Sequence, residues 1–270
     1  MTTRAILLLS LGMAAAQGQA PFSEQFFEVK QYSQEENEAI VKKFHGLRLT
    51  DVVDGLQECG LQDVTTMDPK IGPMWTDKEK FTHRIYGVAV TLRLVPPQER
   101  GPSYFASGEE YQKWHAEWTR KWMAKGLGAQ IKPDTILVID ASRTKDVGFC
   151  GSANAYGWMS RGLRGIVTDG GCRDSDEMIL ERIPVYQRDS TRGINQGRVA
   201  VESYNRPVNA GGVLVMPGDV IVADLDGVAV VPRAKAEAVA AAAHRVQDKD
   251  KNGRRGIYEK MKRPLDFTVK

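Results

Sequence analysis

The segment 135–168 constrains the fold most, because it alternates a strand, a helix and a second strand. Thr135–Asp140 (TILVID) is a short apolar run that follows turn residues, which predicts a buried strand. Ala153–Arg161 predicts a helix with Gly162 as its C-cap, and Gly165–Thr168 (GIVT) predicts the next strand. This order favours a layered α/β fold.

The second half of the chain is mostly sheet. Five further strands are predicted between turn residues, at Ile183–Tyr186, Arg198–Tyr204, Gly212–Val215, Val220–Ala223 and Gly227–Val231. An alanine-rich helix is predicted over Ala234–Arg245, and the charged run Lys249–Arg255 after it is interpreted as a solvated segment. No GxGxxG follows a strand and no Walker loop occurs, so a doubly wound nucleotide-binding fold is not expected.

The first half adds a strand and an aromatic helix. Tyr86–Val95 alternates and is rich in β-branched residues, which predicts a strand. Between residues 103 and 125, Trp114, Trp118 and Trp122 repeat every four positions and form one face of an amphipathic helix. We favour a stripe packed on the core or on another subunit. A lid or a sugar-stacking surface is the alternative.

Composition and termini limit the class of protein. The net charge is +3 over 270 residues and no basic block occurs, so no nucleic-acid partner is expected. Residues 1–20 resemble a signal peptide, with a basic start, a short apolar run and small residues that favour cleavage after Ala16 over Ala20. We therefore expect an exported, periplasmic protein with no membrane segment in its mature form, consisting of one domain over residues 21–270.

The three cysteines and four histidines have no metal-site spacing. Cys59, Cys150 and Cys172 are an odd number without a CxxC motif, and buried free thiols are favoured over a Cys150–Cys172 bridge. The histidines at 45, 83, 115 and 244 are scattered and are interpreted as surface or structural residues.

The candidate chemistry lies between Gly151 and Asp174. Gly151 opens a helix, and the amides of Ala153 and Asn154 at a helix start attract an anion. Arg173 offers a planar fork for a carboxylate, and Asp174 offers oxygen to a divalent cation. Ser152 is interpreted equally as a helix cap and as a substrate contact. Asp169 is interpreted as the cap of the turn that positions Arg173.

Several separated motifs resemble one family. The run from Gly151 to Asp174 (a glycine, about twenty residues, then Arg-Asp) resembles the regulators of ribonuclease activity A and the 4-hydroxy-4-methyl-2-oxoglutarate/4-carboxy-4-hydroxy-2-oxoadipate aldolases. LTDVVDGL near the start, PVNAGGV from Pro207 and PGDVIVADLDGVAVVP from Pro217 are similar to the same family in the same order. The resemblance covers about residues 47–245.

The resemblance implies a fold and a chemistry. The fold is an α/β swivelling β/β/α domain of the RraA-like type, a layered sheet with flanking helices, assembled as a homotrimer or a hexamer. The aldolase members are class II pyruvate aldolases that use Mg²⁺ or Mn²⁺ and also decarboxylate oxaloacetate. Carried over by position, Asp174 is the metal ligand, Arg173 contacts the 2-oxo acid, and the amides after Gly151 cradle its carboxylate.

Two positions depart from the aldolase pattern. The aldolases carry an acidic residue directly after the motif glycine, where this chain has Ser152. They also bring an acidic residue from a neighbouring chain's C-terminal helix, for which Asp248 and Asp250 are both candidates. We expect a metal-dependent lyase with Arg173 and Ser152 as catalytic residues. The alternative is a non-catalytic binding or regulatory protein of the same family.

Overall fold

The structure is a computed structural model that describes residues 25–123, 126–142, 144 and 146–270. The predicted signal peptide, residues 1–20, lies outside the described residues. Within the described part, no helix is both long and apolar enough to cross a bilayer.

Seven helices and ten strands are described. The helices are α1 (Gln34–Lys42), α2 (Leu49–Glu58), α3 (Gly108–Trp122), α4 (Leu127–Gln130), α5 (Ser152–Met159), α6 (Ser175–Leu180) and α7 (Ala236–Lys260). The strands are β1 (Gly72–Pro73), β2 (Ile85–Val95), β3 (Thr135–Asp140), β4 (Leu163–Thr168), β5 (Val185–Gln187), β6 (Ala200–Tyr204), β7 (Val208–Ala210), β8 (Val213–Val215), β9 (Val220–Asp224) and β10 (Gly227–Val231).

One mixed sheet of eight strands organises the molecule. Its order is β1-β5-β4-β3-β2-β9-β10, and β6 pairs with the far end of β2. The strands β2 to β5 run parallel, whereas β9 and β10 form an antiparallel hairpin. The parallel part arises because α5 connects β3 to β4 and α6 connects β4 to β5, as in any strand–helix–strand unit.

The core is divided by this sheet. One apolar cluster lies between α1, α2, α7 and the β9–β10 hairpin. A second cluster packs α5 and α6 against β3 and β4, and a third includes the small β7–β8 sheet. The predicted fold class is confirmed: the molecule is a layered α/β domain with flanking helices.

Several predicted boundaries differ from the structure. The helix predicted over 153–161 is Ser152–Met159, and its C-cap is Ser160 rather than Gly162. The helix predicted to end at Arg245 continues to Lys260, so the charged run 249–255 is helical. The alternating basic and acidic residues of this run lack the apolar periodicity that indicates a helix, because only part of each turn contacts the core. The short strands β1 and β7 were not predicted.

Candidate active site

Two loops meet beyond the carboxyl ends of β3 and β4. Because these strands are parallel neighbours, the segments that follow them start at the same edge of the sheet. Gly148 and Gly171 form a parallel bridge, and the Arg173 amide donates to the Cys150 carbonyl at 3.1 Å. The backbone therefore places Gly151 beside Arg173 and Asp174, although they are 22 and 23 positions apart.

Gly151 and Asp174 are in direct contact. A Cβ atom at Gly151 would overlap Asp174 Oδ2, closer than real atoms approach. The same carboxylate oxygen accepts a hydrogen bond from the Ser152 amide at 3.2 Å. Only glycine at position 151 leaves room for this carboxylate at the start of α5.

Asp174 has an unusual backbone conformation. Its φ of 60° and ψ of 46° lie in the left-handed region, which a non-glycine residue adopts at a cost of about 1 kcal/mol. This conformation turns the carboxylate back toward the Ser152 amide instead of along the chain. The surrounding contacts hold Asp174 in a conformation that the chain would not otherwise favour.

Arg173 lies beside the same carboxylate. Its Nε is 3.7 Å from Asp174 Oδ1, and the two side chains are 37% and 40% exposed. The stem of Arg173 crosses Gly148, where an added Cβ would lie 2.9 Å from the Arg173 Cβ. Both charged groups are thus fixed at the base and open to solvent at the tip, as a ligand site requires.

Buried hydrogen bonds fix the peptide that precedes Arg173. The Cys172 amide donates to Gln187 Oε1 at 2.8 Å, and the Cys172 carbonyl accepts from Thr191 Oγ1 at 2.9 Å. The Cys172 thiol lies 3.4 Å from the Cys150 thiol, and both are buried free cysteines, as the sequence predicts. The hydrogen bond with Cys172 and burial raise the pKa of Cys150, so its thiol stays neutral.

The first turn of α5 presents its amides beside the charged pair. Gly151 is the N-cap and Ser152 is the first helical residue, so the interpretation of Ser152 as a cap is wrong. The Ser152 amide is occupied by Asp174, whereas the next two amides, of Ala153 and Asn154, belong to the turn whose N–H groups have no intrahelical acceptor. These two are the amides available to an anion.

Asp169 has a structural role other than the predicted turn cap. Its Oδ1 accepts from the Ala141 amide at 2.7 Å and so joins the end of β3 to the end of β4. Burial raises the pKa of this carboxyl group. Asp169 therefore stabilises the ends of β3 and β4, from which the two loops begin.

A cavity of about 170 Å³ opens between Arg173 and helix α3. It is lined by His115, Gly148, Phe149, Gly151, Asn154, Arg173, Ile194, Asn195 and Gln196. Most of its polar side chains are uncharged amides. Asn195 Nδ2 donates to the Phe149 carbonyl at 2.8 Å, while the buried Asn195 Oδ1 accepts no hydrogen bond from the described residues. The Asn195 side chain is thus held at the cavity wall by its amide nitrogen.

Helix α3 forms the outer wall of this cavity. Trp118 is buried and donates from Nε1 to the Val199 carbonyl at 3.3 Å, and Trp114 and Trp122 are half-buried on either side of it. Gln196 Nε2 donates to Thr119 Oγ1 at 2.9 Å. The tryptophan stripe packs on the molecule, as we favoured, and it also carries His115 to the cavity.

His115, Asn195 and Gln196 are the residues that sequence reasoning missed. The scattered spacing of the four histidines predicts a surface or structural role for His115. The one sequence signal for its position is that it directly follows Trp114 and therefore lies next to the packed tryptophan stripe. Asn195 and Gln196 lie in a loop whose path depends on tertiary contacts.

The described residues supply one carboxylate for a cation at this site. No group of three or more histidine, cysteine, aspartate or glutamate side chains is arranged for metal binding in the described ranges. Asp174 alone fits a cation that keeps most of its water, as Mg²⁺ does. Asp250, a candidate for the neighbouring chain's acid, accepts from Arg48 Nη2 at 2.7 Å within its own chain, and Asp248 is exposed.

Comparison with known proteins gives the same family as the motifs. The family model RraA-like (Aldolase/RraA) matches residues 49–230, more than half of the chain. A Halalkalibacterium halodurans protein named "Putative 4-hydroxy-4-methyl-2-oxoglutarate aldolase" is 31% identical over 135 residues, 48% of this chain and 61% of that protein. The chain thus spans less than two thirds of that relative's length.

Solved structures share the fold. Streptomyces coelicolor RraAS2, described as an unusual member of the RNase ES inhibitor RraA protein family, has a TM-score of 0.64 at 23% identity, covering 84% of this chain and 98% of its own. An uncharacterized Pseudomonas syringae protein has a TM-score of 0.63 at 20% identity, covering 86% and 98%. On the family match and the shared fold, the chain belongs to the RraA-like family.

Proposed function

We propose that the protein is a divalent-metal-dependent lyase that acts on a 2-oxo acid. The reaction is retro-aldol cleavage with release of pyruvate, or decarboxylation of an oxaloacetate-type acid. The observation that carries this proposal is the contact of Gly151 with Asp174, which sets a carboxylate and the Arg173 guanidinium against the free amides of a helix start. The family includes a relative named as an aldolase, which supports the proposal.

The substrate carboxylate is bound by the protein's own donors. The amides of Ala153 and Asn154 and the positive end of α5 favour an anion, and Arg173 donates to the carboxylate and to the ketone oxygen. Asp174 would hold Mg²⁺ or Mn²⁺, which would polarise the ketone oxygen and stabilise negative charge there. Fixed donors of this kind stabilise charge that develops on bond cleavage.

Retro-aldol cleavage also needs a proton acceptor. A base takes the proton of the C4 hydroxyl group, the C3–C4 bond breaks, and its electron pair forms the pyruvate enolate, which is then protonated at C3. A serine hydroxyl is a poor base, so Ser152 is suited to hydrogen bonding with the substrate. We propose His115 as the acceptor, because histidine is the commonest general base in enzymes and this one lines the cavity.

The cavity lining favours a hydroxylated substrate tail. Beyond Arg173, its side-chain donors and acceptors are the amides of Asn154, Asn195 and Gln196 and the imidazole of His115. Side-chain amides can donate to and accept from hydroxyl groups. We propose a sugar-acid type of 2-oxo acid as the substrate class.

Turnover of purified mature protein tests this function. With Mg²⁺ or Mn²⁺, we expect pyruvate release from oxaloacetate or from 4-hydroxy-2-oxo acids, and loss of that activity with a chelator or in Arg173→Ala. A folded, metal-supplied protein that turns over none of these acids would contradict the proposal. Stoichiometric binding of a protein partner without metal would then favour the non-catalytic alternative.

The variant His115→Gln tests whether His115 accepts the proton or only forms part of the cavity wall. If His115 takes the proton, kcat falls about 10²–10⁴-fold with little change in KM. His244→Gln is the matched control, because His244 contacts the Lys43 carbonyl and does not line the cavity. A variant that changes only KM would show that His115 contacts the substrate without accepting its proton.

We also propose that the protein acts after export and as a homotrimer or hexamer. The leader-like composition of residues 1–20 and the family resemblance support these two proposals. The mass of the mature chain tests whether residues 1–20 are removed. Light scattering of the purified protein tests the oligomeric state. A chain that keeps residues 1–20, or a monomer in solution, would contradict the respective proposal.

A further inference from the structure

A second cavity, of about 440 Å³, lies away from the candidate active site. We call it the basic cleft. Its walls come from the start of α2, the segment before and into β2, the C-terminal half of α7 and the tail that follows. It is lined by Gly46, Arg48, Lys80, Phe81, Arg84, Tyr86, Gln247, Lys251, Arg254, Phe267 and Thr268, none of which lines the cavity beside Arg173.

Positive charge dominates the basic cleft. Five of its lining residues are lysine or arginine and none is acidic. Arg48 is neutralised, because its guanidinium binds the carboxylates of Asp51 and Asp250. The other four cations, Lys80, Arg84, Lys251 and Arg254, form no ion pair with any acidic side chain in the described ranges. Like charges so close together repel unless an anion lies between them.

Arg84 is the least satisfied of these cations. Its guanidinium lies over the Phe81 ring at 4.4 Å, and its Nε is buried without a hydrogen-bond partner among the described residues. A buried charged donor without an acceptor is destabilising. Arg84 also lines the cleft, where an anion would offset its charge.

The remaining walls define the shape of the ligand. Phe81 and Phe267 pack with ring centroids 5.3 Å apart, and Arg254 is held by a 2.9 Å hydrogen bond from its Nη2 to Thr268 Oγ1. Tyr86 donates its hydroxyl to the Leu47 carbonyl at 2.6 Å and is therefore not free for the ligand. The cleft combines apolar faces with fixed cations.

We propose that the basic cleft binds a small multivalent anion whose charge is carried by phosphate or carboxylate oxygens. A cavity of this size lies within the range of about 300–1,000 Å³ that small-molecule sites occupy. Arginine forks and lysine ammonium groups are the donors that proteins use for such oxygens. The proposal does not rest on the lyase function, because the two cavities share no lining residue.

Calorimetric titration of the full chain with two probes tests the proposal. Inorganic pyrophosphate represents phosphate oxygens and citrate represents carboxylate oxygens, each titrated at low ionic strength. We expect one of them to bind once per chain. Lys251→Gln/Arg254→Gln should weaken that binding about tenfold or more, since it removes two charged donors from the cleft.

The chain offers a matched control on the same helix. Lys249→Gln/Arg255→Gln removes the same charge from exposed positions of α7 that do not line the cleft. Its binding should stay within about twofold of the wild type, because exposed charges are screened. Arg84→Lys keeps the charge but removes the planar guanidinium fork, and should weaken binding several-fold while the protein remains folded by circular dichroism.

Three results would overturn the proposal. One is that the folded wild type binds neither probe. Another is that both double variants weaken binding equally, which would indicate a general surface effect. The third is that Lys251→Gln/Arg254→Gln dissociates an oligomer in light scattering without any anion binding in the wild type, which would assign the cleft to contact with a second copy of the chain.

Discussion

Gly151 is the residue on which the candidate active site most depends. Its missing side chain is the space that Asp174 occupies, and the Asp174 carboxylate in turn takes the Ser152 amide. We predict that Gly151→Ala displaces Asp174 and abolishes metal-dependent turnover, because an added Cβ would overlap Oδ2 of that carboxylate. Steady-state kinetics with Mg²⁺ measure this effect.

A second glycine of the same helix provides the control. A Cβ at Gly157 meets nothing within 4 Å, so Gly157→Ala should keep full activity and stabilise α5 by roughly 0.5–1 kcal/mol. Full activity in Gly151→Ala would show that the contact with Asp174 is not needed for catalysis. Urea unfolding of both variants separates loss of activity from loss of fold.

Asp219 makes folding stability depend on pH. It is 4% exposed, and burial raises its pKa to about 6, although its carboxylate accepts hydrogen bonds from the Met216 and Arg233 amides. Between about pH 4 and pH 6 the folded protein therefore holds a proton that the unfolded chain has released. Its stabilising contribution is full below about pH 4 and is lost as the pH rises through 6.

The Asp219→Asn variant removes this titration. We expect the difference in unfolding free energy between wild type and variant to change by about 2 kcal/mol between pH 4 and pH 7, with the wild type losing stability. Urea unfolding at several pH values measures it. Parallel pH profiles for the two proteins would contradict the assignment.

At the residue scale, the sequence predicts the site in part. The spacing of Gly151, Arg173 and Asp174 could be predicted, because it follows from the strand–helix–strand unit and the family motif. The role of Ser152 as a first helical residue could not, since it depends on Asp174 taking its amide. His115 could not be placed either, because its contact with the cavity depends on how α3 packs.

Helix α3 contributes His115 to the cavity beside this site. Its buried face centres on Trp118, whose ring centroid lies 5.9 Å from that of Trp114 and 6.2 Å from that of Trp122. We predict that Trp118→Ala lowers the unfolding free energy by about 3–5 kcal/mol, as large-to-small core changes do. Denaturant unfolding measures this loss.

The neighbouring Lys113 gives the comparison. It is exposed on α3, so Lys113→Ala should change stability by no more than about 0.5 kcal/mol. If Trp118→Ala were as mild as Lys113→Ala, α3 would not be packed on the core, and His115 would lose its fixed place in the cavity wall.

Local sequence patterns predict some helices and strands correctly and fail for others. The strand Gly227–Val231 could be predicted with its correct boundaries, because a short apolar run lies between turn residues. The second half of α7 could not, since charged residues occupy most of its surface and only Gln247 is buried there. Its helical form matters, because Lys251 and Arg254 reach the basic cleft from it.

At the scale of the molecule, the parallel strands determine where chemistry can occur. The ends of β3 and β4 lie side by side, and the segments that follow them carry the charged pair and the anion-binding amides at the start of α5. The order of strands could not be predicted from periodicity alone, because pairing between β2 and β9 joins segments far apart in the chain. The family resemblance predicted the type of fold but not the order of its strands.

The most direct test of the account is calorimetric binding of oxalate, a two-carbon mimic of the pyruvate enolate. We predict one oxalate per chain, with binding that requires Mg²⁺ or Mn²⁺ and that Arg173→Gln weakens about tenfold or more. Oxalate that does not bind to the metal-supplied protein, or that binds equally to Arg173→Gln, would contradict the central claim.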